Sequence, residues 1–366
     1  MAFRLSAFYF LFFAHGGVYV AFFPLYLASR GLGAAEIAWV LALPPLVRTF
    51  APPAWGWLAD RAGAHRAVVV FSCAAIACAF GLMPFSERFA LLVAVASLLS
   101  AGALPIVEGI TLGSLAGQPG RYGPIRLWGS IGFMVVVLAG GVWLDHGPVG
   151  LLPAAIVAFI LAALLVALGL PPRTPHPAVQ SARLQLTPEI LALLAAGFCN
   201  AVAHGALYAF LSLHLEREGY SGTMIGVLWT LGILVEVLVF LWLPHLFRRF
   251  SLAGILVFSM GCGVVRFLAI GWAASELWIV LLAQSLHAAT FGSFHAAAVA
   301  AVHRLFPEHA QARGQTLFSS VSYGAGAAAG LILAGWAWQA GGAQIAFTAS
   351  AAAAAAGVFF ALRLRR

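Results

Sequence analysis

The sequence predicts an all-α integral membrane protein: twelve transmembrane helices forming two pseudo-symmetric six-helix bundles. Three observations predict it. The composition is incompatible with water, the apolar residues fall into twelve long runs, and the two halves of the chain share an internal register.

Apolar residues make up 63% of the 366 positions and charged residues only 8%. The mean hydropathy is +1.00. Soluble domains are nearer half apolar and a quarter charged, so this much hydrocarbon has to face lipid. The net charge of +8 comes from arginine alone, since the chain has no lysine. Those arginines are scattered between apolar runs, which argues against a nucleic-acid partner. Cys73, Cys78, Cys199 and Cys262 all fall inside apolar runs. They read as packing residues, not as disulfides or metal ligands.

A bilayer core needs about 20 apolar residues per helix. Runs of that kind lie at 4–28, 35–58, 67–85, 89–117, 124–144, 148–170, 188–215, 221–246, 252–273, 276–305, 312–338 and 341–362. The first is too long for a signal-peptide core, so it is expected to stay as a helix. Arg4, Arg61, Arg66, Arg121, Arg173, Arg183, Arg248, Arg249, Arg304, Arg313, Arg363, Arg365 and Arg366 lie at one set of run ends. Only Arg30, Arg88 and Arg217 lie at the other. This bias predicts both termini in the cytoplasm. Arg48, Arg126 and Arg266 fall within the runs.

The polar connection at 171–187 is rich in proline, which cannot continue a helix. It divides the chain into an N-terminal bundle, 1–170, and a C-terminal bundle, 188–366. "AHGGVYVAFFPLYL" at 14–27 echoes "AHGALYAFLSLHL" at 203–215, pairing His15 with His204 and Tyr19 with Tyr208. Arg48 falls opposite Glu236, Asp60 opposite Arg248, Glu108 opposite His295 and Arg126 opposite Arg313. The offsets stay between 187 and 189 residues (295 − 108 and 204 − 15). Such a register points to a duplicated six-helix unit, the plan of one transporter class with its site near mid-membrane.

The segment "GWLADRAGAHR", 56–66, follows the second run. With Gly56, Asp60, Arg61, Gly63 and Arg66 it resembles the signature loop of the major facilitator superfamily. It departs where Ala64 and His65 replace the usual basic pair. In such a loop the acid can dock at a helix N-terminus or an arginine, while glycine permits the tight turn. "PIVEGI" and, eighteen residues on, "YGPIRLWGSIGF" are similar to the sugar-binding block of lactose permease. That likeness implies that Glu108 and Arg126 bind substrate. Phe133 stands where the permease has a tryptophan, and Thr290 where it has its proton-handling glutamate after the histidine matched by His287. The segments around 204–240 and 286–326 look more like the phenylpropionic acid permease branch. That resemblance implies proton-coupled uptake of aromatic acids and the major facilitator fold.

Ionisable residues inside the runs cost at least about 2.5–3.5 kcal/mol each on insertion scales, so each needs a partner or a function. Arg126 offers a planar fork for a carboxylate, supplied by Glu108 or by an anionic substrate. Glu236 is the first candidate proton carrier, with His287 and Glu108 behind it. Arg266, His287 and His295 are further substrate candidates, and a static Glu236–Arg266 bridge is the structural alternative. His15, Tyr19, His204 and Tyr208 are read either as cavity lining or as hydrogen-bond clasps. Arg48 lies between Pro44-Pro45 and Pro52-Pro53, in a helix that must bend. The glycine- and alanine-rich stretches at 323–335 and 351–356 read as close-packing surfaces.

The leading expectation is therefore a non-enzymatic, monomeric secondary transporter of the bacterial inner membrane, without cofactor or metal. It would import a small organic anion, such as an aromatic carboxylate, with protons. A proton symporter of a neutral sugar or nucleoside is the second reading, and an efflux pump the third. A non-transporting sensor or intramembrane enzyme is the alternative of a different class.

Overall fold

In a computed structural model of the chain, residues 1–115, 118–171 and 185–364 are described. Most of the connection at 171–187, with Arg173, Arg183, Arg365 and Arg366, lies outside the described residues.

The helices follow the apolar runs. They are α1 (Ala2–Ser29), α2 (Ala34–Arg48), α3 (Ala51–Ala62), α4 (His65–Leu82), α5 (Phe89–Ser100), α6 (Ala103–Ser114), α7 (Tyr122–His146) and α8 (Leu152–Ala167). After the connection come α9 (Pro188–Ala203), α10 (Gly205–Arg217), α11 (Gly222–Arg249), α12 (Leu252–Ala273), α13 (Leu277–Ser285), α14 (Phe294–Leu305), α15 (Gln311–Ser319) and α16 (Ala327–Ala361). No strand occurs among the described residues. In lipid a helix satisfies its backbone donors and acceptors internally, which an open strand cannot do.

Ten helical stretches are long and apolar enough to cross a membrane, and α2 with α3 makes an eleventh, bent by 47°. The last stretch, Glu308–Ala361, has 54 residues, far beyond the about 20 that one crossing needs. It leaves helical geometry at Gly341 and Gly342, where φ is −171° and 67°. Counted on either side of that break, the described helices give the twelve spans read from the sequence.

The breaks have local causes. Between α2 and α3, Pro52 and Pro53 bring no backbone N–H to bond the preceding turn, and the Thr49 hydroxyl donates to the Pro45 carbonyl at 3.2 Å. Between α5 and α6 the Leu98 carbonyl accepts from the Trp55 indole at 2.7 Å. Two further interruptions are π-helical turns, at Ala288–Ser293 before α14 and at Ser320–Gly326 before α16.

The described residues of 1–32, 50–178 and 221–226 make one compact unit, and those of 33–49, 179–220 and 227–366 make another. In the first unit α1 lies along α7 and α8, while α4 packs against α5, α6 and α8. Contact between α1 and α7 is close because Gly132 has no side chain; a Cβ there would meet the Phe10 backbone. The first turn of α11 belongs to this unit, and Asp145 at the end of α7 caps it. The Asp145 carboxylate accepts from the backbone N–H groups of Gly222 (2.6 Å) and Thr223 (2.9 Å), and from the Thr223 hydroxyl.

In the second unit α16 is the spine, packed against α2, α9, α10 and α12. The stretch 323–335 provides the close surface read from the sequence. Gly330 lies against the Val202 backbone and Gly335 against Ala35 and Ala38. The alanine run divides its faces: Ala351 and Ala354 are buried, whereas Ala352, Ala355 and Ala356 are exposed. Close approach matters here because lipid tails are as apolar as leucine, so helix association rests on packing.

Candidate functional site

The signature loop is a helix–turn–helix. α3 ends at Ala62, and Gly63 takes the left-handed conformation with φ 60°. Gly56 lies inside α3, so Gly63 alone makes the turn. Asp60 is exposed, but its Oδ1 lies 2.7 Å from Nε2 of the buried His65, the first residue of α4. The residue that departs from the signature thus supplies the acid's partner. Arg61 covers the Trp57 ring at 5.3 Å, and Arg66 is exposed.

In the first unit α1, α6 and α7 bring an aromatic and ionic group together. The Arg126 guanidinium lies 4.0 Å from the centroid of Phe13 and 5.5 Å from that of Tyr9. A cation over an aromatic face is attracted by the ring quadrupole. The charges of both Glu108 and Arg126 reach the hydroxyls of Tyr9 and Tyr122, so the acid and the base share one neighbourhood. Tyr9 is anchored by a 3.2 Å hydrogen bond to Thr111. The rings under Arg126 come from α1; Phe133 sits on α7 with its carbonyl facing Gly17. Farther along α1, His15 meets the Phe12 ring edge-on at 4.8 Å, and Tyr19 stacks on Phe23 at 5.0 Å. His15 Nδ1 and the Tyr19 hydroxyl are buried and meet no side-chain or backbone atom in hydrogen-bonding geometry among the described residues.

The second unit holds a polar network around Arg266, which is 1% exposed. Its Nη1 donates to Nδ1 of His287 at 3.1 Å and to the Thr290 hydroxyl at 2.8 Å. Its Nη2 donates to the Gln284 side-chain oxygen at 2.9 Å. Gln284 in turn donates to the Leu228 carbonyl at 3.0 Å, which fixes its amide. An arginine only donates, so His287 Nδ1 accepts and the imidazole proton resides on Nε2. That nitrogen lies 3.3 Å from Glu236 Oε2. His287 therefore stands between the acid and base that the sequence considers as a direct bridge.

The π turn shapes this group. His287, Phe291 and His295 stack in sequence, with centroids 5.4 and 6.4 Å apart and planes within 9°. His295 Nδ1 lies 2.7 Å from the Tyr323 hydroxyl, and Tyr323 belongs to the second π turn. Gly292 leaves room for Glu236, whose Cγ would lie 2.9 Å from an added Cβ. π-bulges are frequent at functional sites. His204 is buried beside Phe267, His287 and Phe291, and Tyr208 stacks on Trp229.

The structure thus gathers Glu108 and Arg126 in one group, and His204, Tyr208, Glu236, Arg266, His287 and His295 in another. Arg48 is exposed at the end of α2. Sequence reasoning missed Tyr9, Phe13 and Tyr122 around Arg126, and Gln284, Phe291 and Tyr323 around His287. Gln284 carried a signal, being an amide within an apolar run. The rings carried none, because aromatic residues are ordinary in membrane helices.

Comparison with known proteins agrees with this architecture. The MFS_1 like family model matches residues 2–349. A maltose permease from Geobacillus stearothermophilus is 31% identical over 359 residues, covering 93% of this chain and 89% of the relative. A probable 3-phenylpropionic acid transporter from Escherichia coli K12 is 31% identical over 228 residues, 60% of each chain. A crystal structure of the nucleoside transporter NupG, in mutant form, superposes with a TM-score of 0.84 at 16% identity and covers 99% of this chain and 98% of its own. With a match across nearly its whole length and this twelve-span helical architecture, the chain belongs to the MFS_1-like family, a multi-pass membrane transporter of the major facilitator type.

Proposed function

We propose that this transporter imports a small organic anion with protons, the substrate carboxylate docking on Arg126. The observation that carries the reading is the guanidinium carbon lying over the Phe13 ring, 4.0 Å from its centroid. Contact through a ring face does not consume N–H donors, and the one hydrogen bond shared with the Tyr122 hydroxyl leaves others of the guanidinium's five for a carboxylate. The same rings offer an apolar body to an aromatic acid. The E. coli relative named for 3-phenylpropionic acid supports this substrate class.

Proton coupling is assigned to Glu236. His287 Nδ1 accepts from Arg266, so protonating it would turn two donors toward each other. Glu236 faces the other nitrogen and can take a proton without breaking the arginine bond. Glu236→Gln is expected to abolish uptake driven by a pH gradient in proteoliposomes while leaving exchange at equal concentrations intact. Uphill uptake retained by that variant would move the role to His287 or Glu108.

A neutral sugar or nucleoside is the second reading. The maltose permease that covers 93% of the chain favours it, and Glu108 can accept from substrate hydroxyls. Counterflow with labelled 3-phenylpropionate, maltose and uridine distinguishes the two readings, and an absence of exchange with any solute would favour a sensor. The proposal includes an inner-membrane monomer with cytoplasmic termini and halves at 1–170 and 188–366.

A further inference from the structure

The polar network of the second unit has two loose ends. His204 and Arg266 are 2% and 1% exposed, yet His204 Nε2 and Arg266 Nε meet no hydrogen-bonding protein atom among the described residues. The other atoms of both side chains are accounted for. His204 Nδ1 lies 2.8 Å from the Asn200 carbonyl. A carbonyl only accepts, so Nδ1 carries the proton and Nε2 presents a lone pair. Arg266 has both Nη atoms engaged by His287, Thr290 and Gln284, which leaves Nε–H as a donor.

Both side chains share two neighbours, Phe267 and His287. The His204 ring lies 5.2 Å from the Phe267 centroid, and the Arg266 guanidinium carbon 5.6 Å from it. Both also adjoin His287, Arg266 through the 3.1 Å hydrogen bond and His204 with ring centroids 6.4 Å apart. A buried lone pair and a buried N–H are each costly when unmet, the more so in a membrane interior.

We propose that His204 Nε2 and Arg266 Nε together bind one hydroxyl-type oxygen, which accepts from Arg266 and donates to His204. The chemistry selects the ligand. An ionised carboxylate could accept from the arginine but has no proton for the histidine, and an ammonium could donate but not accept. A hydroxyl does both. Its source is either an ordered water or a hydroxyl of the transported solute, and the second case rests on the transport reading given above.

The test uses the full chain in lipid. Structures of the wild type, determined without solute and with maltose or uridine at a resolution that shows ordered water, are expected to reveal an oxygen within about 3.2 Å of both nitrogens. Binding of maltose, uridine and 3-phenylpropionate to wild type and His204→Phe then identifies its source. A substrate hydroxyl predicts about a ten-fold loss for the polyol that binds, with 3-phenylpropionate unchanged. A water predicts unchanged affinities and the oxygen already present without solute. No oxygen bridging the two atoms in any of the structures overturns the proposal. Because the wild-type structures decide this, the result stands even if His204→Phe fails to fold. Failure of all three probes to bind would count against the transport reading, while the density at the two nitrogens would still decide the proposal.

Discussion

Arg126 and Arg266 are both arginines inside apolar helices, and the two units hold them by opposite means. Arg126 is half-buried, with its guanidinium carbon over the rings of Phe13 and Tyr9. Arg266 is fully buried and fastened through three side-chain hydrogen bonds to His287, Thr290 and Gln284. A ring face attracts a cation without consuming its N–H groups, whereas a cage of acceptors leaves few to offer. The first arrangement suits an exchangeable ligand, and the second suits a fixed charge that orients its neighbours. An intramembrane arginine is therefore not a function by itself; the groups around it decide what it can do.

The contrast breaks most readily at Arg266. Truncating one partner of a buried charged network typically costs about 3–5 kcal/mol, because the groups left behind are unmatched. Arg266→Met is expected to lower the melting temperature of the purified protein strongly and to abolish transport with it. A variant that melts like wild type would show that the cage contributes little to stability.

Arg126 should fail in the other way. A charge-assisted hydrogen bond contributes about 1.5–3 kcal/mol, so Arg126→Ala is expected to weaken carboxylate binding by roughly 10- to 150-fold with only a small change in melting temperature. Arg126→Lys should recover part of this loss, since a point charge cannot form the fork. The neutral amide of the same acid should bind wild type poorly and respond little to either variant. Equal loss of a neutral sugar or nucleoside in these variants would favour the second reading of the substrate.

The smallest effect is expected where neither arginine is touched. Gly132→Ala puts a methyl against the Phe10 backbone, which cannot yield as a side chain can. Overpacking of this kind costs about 1–3 kcal/mol, measured as reduced thermal stability. Because α1 carries Phe13 and α7 carries Arg126, carboxylate affinity should fall slightly with it. Unchanged affinity would mean that the stack tolerates a shift between the two helices.

Much of the fold was legible beforehand, for a simple reason. Hydrocarbon demands long apolar runs with internally satisfied backbones, and run length is a property of sequence alone. Even the bend between α2 and α3 was written in Pro44, Pro45, Pro52 and Pro53, since proline removes a donor wherever it stands. The repeat pairing His15 with His204 likewise needs no coordinates. Candidate ionisable residues were equally visible, because a charge stands out in a run of leucine and alanine.

What each charge touches was decided only by the tertiary structure. Phe13 and Tyr9 reach Arg126 because α1 packs along α7 at Gly132, a long-range contact that no local pattern encodes. His287 stands between Arg266 and Glu236 because α11, α12 and α13 converge there, and the π turn that follows stacks Phe291 and His295 beyond it. His65 replaced the signature's basic residue in the sequence, but its role as partner to Asp60 follows only from the left-handed turn at Gly63. Sequence determines which groups must be satisfied away from water. Packing across distant segments determines who satisfies them.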